Sequence, residues 1–237
     1  MKCLDLTLPT PAENLACDEA LLEACEENSG EEVLRFWEPR EYFVVVGYSN
    51  KVAQEVDLAA CQAENVKVYR RCSGGGTVLQ GPGCLNYSLI LKIEGEPSLQ
   101  TITGANCHIM GRQRDALSSR VDGAVRVQGH TDLSLDELKF SGNAQRRKHR
   151  ALLFHGTFLL HFNLAWMGRF LPMPSRQPDY RRGRSHEQFV TNLPVSADVV
   201  KDALRRAWSV EAALEVVPNF ATLLAEKYWR EDWNLKF

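Results

Sequence analysis

The sequence predicts an α/β (α+β) fold, a mixed β-sheet flanked by helices. Three observations carry that expectation. Strand-like and helix-like stretches interleave, but without the regular strand–helix–strand beat of an all-parallel sheet. The chain has 237 residues, 44% of them hydrophobic, which suffices for one large core. No apolar run approaches the roughly 20 residues that span a bilayer.

The first element is a helix. Thr10 can cap it, Pro11 suits its first position, and Glu13 completes a capping box. Cys17, Ala20, Leu21, Ala24 and Cys25 then recur on one apolar face, and Asn28-Ser29-Gly30 reads as the stop. Val33–Trp37 and Tyr42–Val46 read as a hairpin or as neighbouring strands. Val66–Tyr69 and Leu85–Ile93 add two strands, and helical spacing follows between Leu99 and Leu117 at Ile102, Ala105, Ile109 and Ala116. Short strands are expected at Ala124–Val127, Asp132–Leu135, Lys139–Ser141 and Leu152–Leu160. Val200, Ala203, Leu204, Ala207 and Trp208 mark a late helix. Leu171–Arg184, with three prolines and four arginines, reads as a loop, and Tyr228–Phe237 is too short to be a domain of its own.

Composition narrows the function classes. A formal net charge of −2 offers no electrostatic case for nucleic acid, and Met1–Asp5 lacks the apolar core of a secretory signal. The seven cysteines are odd in number and contain no Cys-x-x-Cys pair, which argues against a disulfide framework or a zinc site. Reduced, mostly buried thiols in a cytoplasmic, non-membrane protein are expected.

Three stretches carry chemistry. In Arg70-Arg71-Cys72-Ser73-Gly74-Gly75-Gly76-Thr77, a glycine triplet follows a strand. Such a loop can aim several N–H groups at one anion, with Ser73 and the two arginines as further donors; a plain turn flanked by surface arginines is the alternative. It is neither a Walker A loop nor a dinucleotide fingerprint, because neither glycine spacing is present. In Asp132 to Gln145, Lys139 sits between the apolar Leu138 and Phe140, and a fixed ammonium there could neutralise a carboxylate attacking a phosphate. In Leu152 to Leu160, His155 and Thr157 would share a strand face, and Gly156 suggests a bulge or a close approach to a ligand. Two basic clusters, Arg146–Arg150 and Arg181–Arg184, read as solvated mobile loops or as a contact for an acidic protein or nucleotide phosphates.

Together these stretches resemble the catalytic domain of the biotin/lipoate ligase superfamily, specifically its lipoate–protein ligase branch. The matching segments run in the expected order: Asn14 to Glu19, Arg70–Val78 with Asn86-Tyr87-Ser88, Asp132 to Gln145, His155-Gly156-Thr157, and His186-Glu187-Gln188 to Asn192-Leu193. The resemblance implies one ligase-like catalytic domain over 1–237 without a C-terminal accessory domain. It implies ATP and lipoate as substrates, with Mg2+, and formation of lipoyl-adenylate. The acyl group would then pass to a lysine of a lipoyl domain of a 2-oxoacid dehydrogenase or of the glycine-cleavage H protein. A separate small accessory subunit is a further implied partner.

By the same resemblance, Arg71, Ser73, Gly74, Gly75, Gly76, Thr77, Val78, Leu79 and Asn86 would line the nucleotide and lipoyl-adenylate site. Lys139 would be the catalytic residue, contacting the lipoate carboxylate and the α-phosphate. Asp132 would help hold the adenylate or magnesium, and Gly142, Ala144, His155 and Thr157 would complete the pocket. No dedicated protein metal centre is implied. Related octanoyltransferases carry the acyl group on a cysteine, which in one branch sits in the loop ahead of the lysine motif; Val127–Asp132 contains none, which favours adenylation. Cys72 keeps an acyl-carrier-dependent transferase open, and a non-catalytic carrier-binding module is the rival from another class. Where the family usually has Asn before the Asp, Thr131 stands here.

Overall fold

Thr10 does cap the first helix. Its side chain accepts from the Glu13 amide and the Glu13 carboxylate answers the Thr10 amide, so the capping box is complete. The structure, a computed structural model, describes residues 1–27 and 30–237; the Asn28-Ser29 part of the expected helix stop lies outside the described residues. The helices are α1 (Pro11–Glu26), α2 (Val52–Glu55), α3 (Leu58–Ala63), α4 (Ile102–Ser118), α5 (Met167–Phe170), α6 (His186–Phe189), α7 (Ala197–Ala207), α8 (Ala221–Leu223) and α9 (Glu231–Asn234). The strands are β1 (Lys2–Asp5), β2 (Val33–Trp37), β3 (Phe43–Val46), β4 (Lys67–Arg70), β5 (Val78–Gln80), β6 (Cys84–Lys92), β7 (Val125–Gln128), β8 (Asp132–Leu135), β9 (Leu138–Arg147), β10 (Ala151–Leu159) and β11 (Ala212–Ala213).

The strands form a large mixed sheet, in the order β11-β1-β2-β6-β10-β9-β8-β7, and a small one, β4-β3-β5. This corrects the expectation that Val33–Trp37 and Tyr42–Val46 pair. Both edges of β2 are taken, by β1 in parallel and β6 antiparallel, so β3 joins the other sheet. Every residue of β2 and β3 is buried, which alternation alone could not have assigned to separate layers.

One face of the large sheet builds the main core. Leu34, Phe36, Tyr87, Leu89, Phe154 and Phe158 point to α4 and α7 there. Ile102, expected on the buried face of α4, is instead 60% exposed at its first turn. The other face is covered by α1 at one end, through Leu21, Leu22, Ile90 and Leu153, and by the small sheet at the other.

The first basic cluster is a structured hairpin. β9 runs on to Arg147, Lys148 pairs with Glu23, and the Glu26 carboxylate accepts from the amides of His149, Arg150 and Ala151. In the second cluster Arg181 is buried, its guanidinium on the Arg184 carbonyl and over the Phe189 ring. Local carbonyls, carboxylates and rings hold residues of both clusters. No described helix is long and apolar enough to cross a membrane.

Candidate active site on the covered sheet face

Strand register sets the site. Cross-strand partners share a sheet face, so Trp37, Asn86, Thr157, Gly142 and Asp132 form one row across five strands. Arg35, Ser88, His155 and Ala144 form the next row on that face. His155 and Thr157 therefore do share a face, as their spacing predicts.

Lys139 reaches this face through a bulge. From Gly142, simple alternation would send Lys139 to the opposite side. The register between β8 and β9 shifts at Leu133/Ser134, so that Ser134 pairs with Lys139 while Leu133 pairs with Ser141. The extra residue re-aims the lysine, and its ammonium lies 2.8 Å from Asp132 Oδ1. The side chain folds back across Gly142, where a Cβ would sit 2.9 Å from both Lys139 Cε and Nζ. The Thr191 amide pins the Lys139 carbonyl at 2.9 Å, and Tyr180 Oη donates to Asp132 Oδ2 at 2.8 Å.

The glycine loop lies over the same face. Gly75 takes a φ of +87°, a region that costs other residues roughly 1–2 kcal/mol, and it rests against Ala144. Gly74 to Gly76 are exposed, Thr77 and Val78 half-buried, and Leu79 is buried in the small-sheet core. Arg71 is buried beneath them. Its guanidinium donates to the carbonyls of Gly74 (2.6 Å) and Gly76 (2.7 Å), and its Nε donates to Ser73 Oγ at 3.1 Å. Burial lowers its pKa to about 10, which still leaves it charged at neutral pH. By occupying loop carbonyls, Arg71 shapes the loop from behind. Arg70, also offered by the sequence as an anion donor, is buried and bonded to backbone carbonyls instead.

A polar relay runs beneath the loop. Ser73 Oγ accepts from Arg71 Nε and shares a hydrogen bond with His155 Nε2 at 2.5 Å. The other ring nitrogen, Nδ1, faces Asp18 Oδ2 at 4.0 Å. Burial holds His155 down at about 4, outweighing the Asp18 carboxylate that raises it, so the ring is neutral at pH 7. Asp18 is itself bound by Arg35 at 2.5 Å, both side chains buried. Beside this relay, Thr157 accepts from Gln80 (2.7 Å) and donates to Asn86 Oδ1 (2.5 Å). Asn86 Nδ2, Gln80 Oε1, Ser88 Oγ and Trp37 Nε1 are buried without a partner, so polar capacity is concentrated along this seam.

The His155 geometry has a pH consequence. Its depressed pKa means the unfolded chain binds a proton the folded chain refuses. The stability is complete above 6.5 and is lost as pH falls toward 4. Urea unfolding should show wild type weaker at pH 5 than at pH 7. His155→Gln should retain only the smaller dependence expected from His186, which burial lowers in the same direction. An unchanged pH slope in His155→Gln would count against a buried neutral ring.

Gly156 allows a close approach, but by Asn143: a Cβ there would lie 1.8 Å from Asn143 Oδ1. Thr131, in place of the usual Asn, ties β8 to β9 by donating to the Asn143 carbonyl at 2.8 Å. Cys72 is buried beside Tyr228, and burial pushes its thiol up to about 12, the opposite of what a nucleophile needs. The Asp18–Arg35 pair, Gln80, Asn143 and Tyr180 were not singled out as site residues by sequence. An arginine inside the apolar run Val33–Trp37 was a usable signal for the first. Among the described residues, no group of three or more His, Cys, Asp or Glu could hold a metal ion.

The lipoyl protein ligase A/B catalytic domain family matches residues 10–216. The "Lipoate-protein ligase A subunit 1" of Thermoplasma acidophilum is 27% identical, covering 97% of this chain and 95% of that protein. The "Octanoyltransferase LipM" of Oceanobacillus iheyensis is 26% identical, covering 98% and 91%. A crystal structure of lipoate-protein ligase A bound with ATP superposes with a TM-score of 0.79 at 25% identity, over 99% of each chain. A structure from an archaeal lipoylation system, described as a bi-partite lipoate protein ligase and its E2 lipoyl domain from Thermoplasma acidophilum, gives 0.79 at 26% identity, over 99% of this chain and 96% of that one. With most of its length matched by that family, the chain belongs to the lipoyl protein ligase A/B catalytic domain family.

Proposed function

We propose that this chain is an ATP-dependent lipoate–protein ligase. The lipoate carboxylate attacks the α-phosphate of ATP, forming lipoyl-adenylate and releasing pyrophosphate. A lysine amine of a lipoyl domain then attacks the acyl carbon and expels AMP. The observation that carries this reading is the bulge that turns Lys139 onto the sheet face beneath the glycine loop. Two anions must meet there, and a fixed ammonium with loop amides lowers the cost of gathering their charge.

The other residues follow from the same geometry. Ser73 to Val78 wall the nucleotide, with Arg71 setting the loop's shape. Asp132 holds Lys139 in place and, by accepting from Tyr180, links it to the segment before α6. Neutral His155 orients Ser73 rather than moving a proton, since its pKa is far below 7. Thr157, Asn86 and Ala144 line the seam on which the acyl group would lie. Magnesium fits only as a companion of the nucleotide: Asp132 would be its protein carboxylate, phosphate oxygens and water its other ligands, and it would neutralise phosphate charge.

The Thermoplasma relatives support a lipoyl domain as acceptor and a separate accessory subunit as partner. The octanoyltransferase relatives support a second reading, acyl transfer from a carrier thioester. That route needs an accessible thiol. Cys72 does not provide one, and Cys107, though exposed, is on α4 on the opposite face of the large sheet. Cys72→Ser should therefore leave both adenylation and any octanoyl transfer within about twofold of wild type; loss of transfer would restore the thioester route.

The deciding experiment incubates the chain with ATP, lipoate and a lipoyl domain, then weighs the domain. Gain of a lipoyl group marks a complete ligase, and pyrophosphate release without that gain marks the need for a second subunit. No pyrophosphate with lipoate or octanoate, together with gain from octanoyl-carrier protein alone, would overturn the ligase reading.

A further inference from the structure

Arg70 has no role in the chemistry proposed above, yet it is among the most heavily bonded side chains near the site. It is fully buried. Its Nη1 donates to the carbonyls of Gly47 (2.8 Å), Tyr48 (3.1 Å) and Asn50 (2.9 Å). Its Nε donates to the Trp233 carbonyl at 3.1 Å, and its Nη2 to the Lys236 carbonyl. A planar guanidinium with a rigid fork of donors is the one side chain able to collect so many carbonyls at once.

The same distant segment also holds the Arg70 backbone. The Arg70 amide donates to Asn234 Oδ1 at 3.0 Å, and Trp233 Nε1 donates to the Arg70 carbonyl at 2.9 Å. The segment closes over residues 47–50: the Val52 amide donates to the Phe237 carbonyl at 3.0 Å, and Lys236 Nζ sits 4.4 Å above the Tyr48 ring.

Residues 47–50 in turn touch the glycine loop. The Tyr48 amide donates to the Ser73 carbonyl at 2.8 Å, and Asn50 Nδ2 donates to Thr77 Oγ1 at 3.2 Å. Gly47 packs so closely that a Cβ on it would lie 2.2 Å from the Gly75 carbonyl oxygen. The contacts thus run without a break from residues 231–237, through Arg70 and residues 47–50, to the loop proposed to wall the nucleotide.

We propose that residues 231–237 are a strap that positions the glycine loop for the nucleotide, with Arg70 as the positioning residue that transmits it. The role in nucleotide binding rests on the ligase reading; the mechanical coupling does not. Exposed glycines cannot hold a left-handed turn by their own packing, so the restraint must come from below. Arg71 holds the loop's carbonyls directly, and Arg70 holds the neighbouring loop against which it rests. An alternative is that the strap merely closes the core at this end, in which case loosening it would not reach the glycine loop.

The test uses the full chain with Asn234→Ala, Trp233→Phe and Arg70→Lys. Each removes one or more of these hydrogen bonds and leaves the glycine loop's own sequence intact. Loss of one such bond should shift a local opening equilibrium by about tenfold. Amide hydrogen exchange should therefore quicken about tenfold at residues 47–50 and 73–77, while residues 86–92 of the central strand keep their wild-type rates. In pyrophosphate release, the KM for ATP should rise while that for lipoate stays unchanged. Faster exchange confined to 231–237, or spread evenly through the sheet, would overturn the proposal. If wild type releases no pyrophosphate and instead takes octanoyl from its carrier protein, the ligase reading fails and the exchange pattern still decides the coupling.

Discussion

Replacing Lys139 by alanine is expected to lower pyrophosphate release from ATP and lipoate by about 10²–10³-fold, the loss typical of removing a preorganised charge-stabilising group. The fold should persist, because the side chain is about a quarter exposed and its removal opens no core cavity. The loss should fall on kcat more than on KM, since the charge Lys139 meets is greatest when the carboxylate and phosphate converge. Lys139→Arg should not restore the rate. The lysine lies folded over Gly142 with its Cε and Nζ packed there, and a planar guanidinium needs more room than that crossing offers. Full activity in Lys139→Ala, measured as continuous pyrophosphate release, would remove this residue from the chemistry and with it the main support for adenylation.

Replacing Asp18 by alanine is expected to destabilise the chain by about 3–5 kcal/mol, because it leaves a buried guanidinium without its counter-charge. Arg35 is 0% exposed. Its other contacts, the Asn14 carbonyl at 3.0 Å, Asn14 Oδ1 at 2.6 Å and the Leu6 carbonyl at 3.2 Å, are neutral acceptors and cannot replace a carboxylate. Urea unfolding at pH 7 measures the loss. Replacing both partners, as Asp18→Leu with Arg35→Met, should recover much of it, since the desolvation penalty of both charges disappears together. If Asp18→Ala costs no more than an exposed pair, about 0–1 kcal/mol, then Arg35 finds compensation that the geometry does not show. The pair also underlies the site: Arg35 lies in the same cross-strand row as Ser88 and His155, and Asp18 faces both Arg35 and His155, so a shift there would reach Ser73.

Lys139 was legible from its motif, because the residues around it are contiguous. Its direction was not, because a bulge two strands from the edge decides which face it meets. Arg35 is legible as a charge inside an apolar run, but its pairing with Asp18 joins a strand and a helix, 17 positions apart, that meet only on folding. Cys72 shows the converse: contiguous with the glycine loop, it is a candidate nucleophile by sequence and a buried core thiol by packing.

By itself the sequence determined the local features: the capping box at Thr10–Glu13, the backbone freedom of Gly74 to Gly76, the shared strand face of His155 and Thr157, and the family order of these motifs. Such properties depend on neighbours within a few residues, so they survive in a one-dimensional reading. Only the tertiary structure decided that β2 and β3 belong to different sheets, that Arg70 binds backbone rather than anion, that Arg71 supports the loop from behind, and that Lys139 faces Asp132. Each of those depends on which distant group fills the remaining hydrogen-bonding capacity of a buried residue, and burial, together with the partner that satisfies it, is fixed only when separate segments pack.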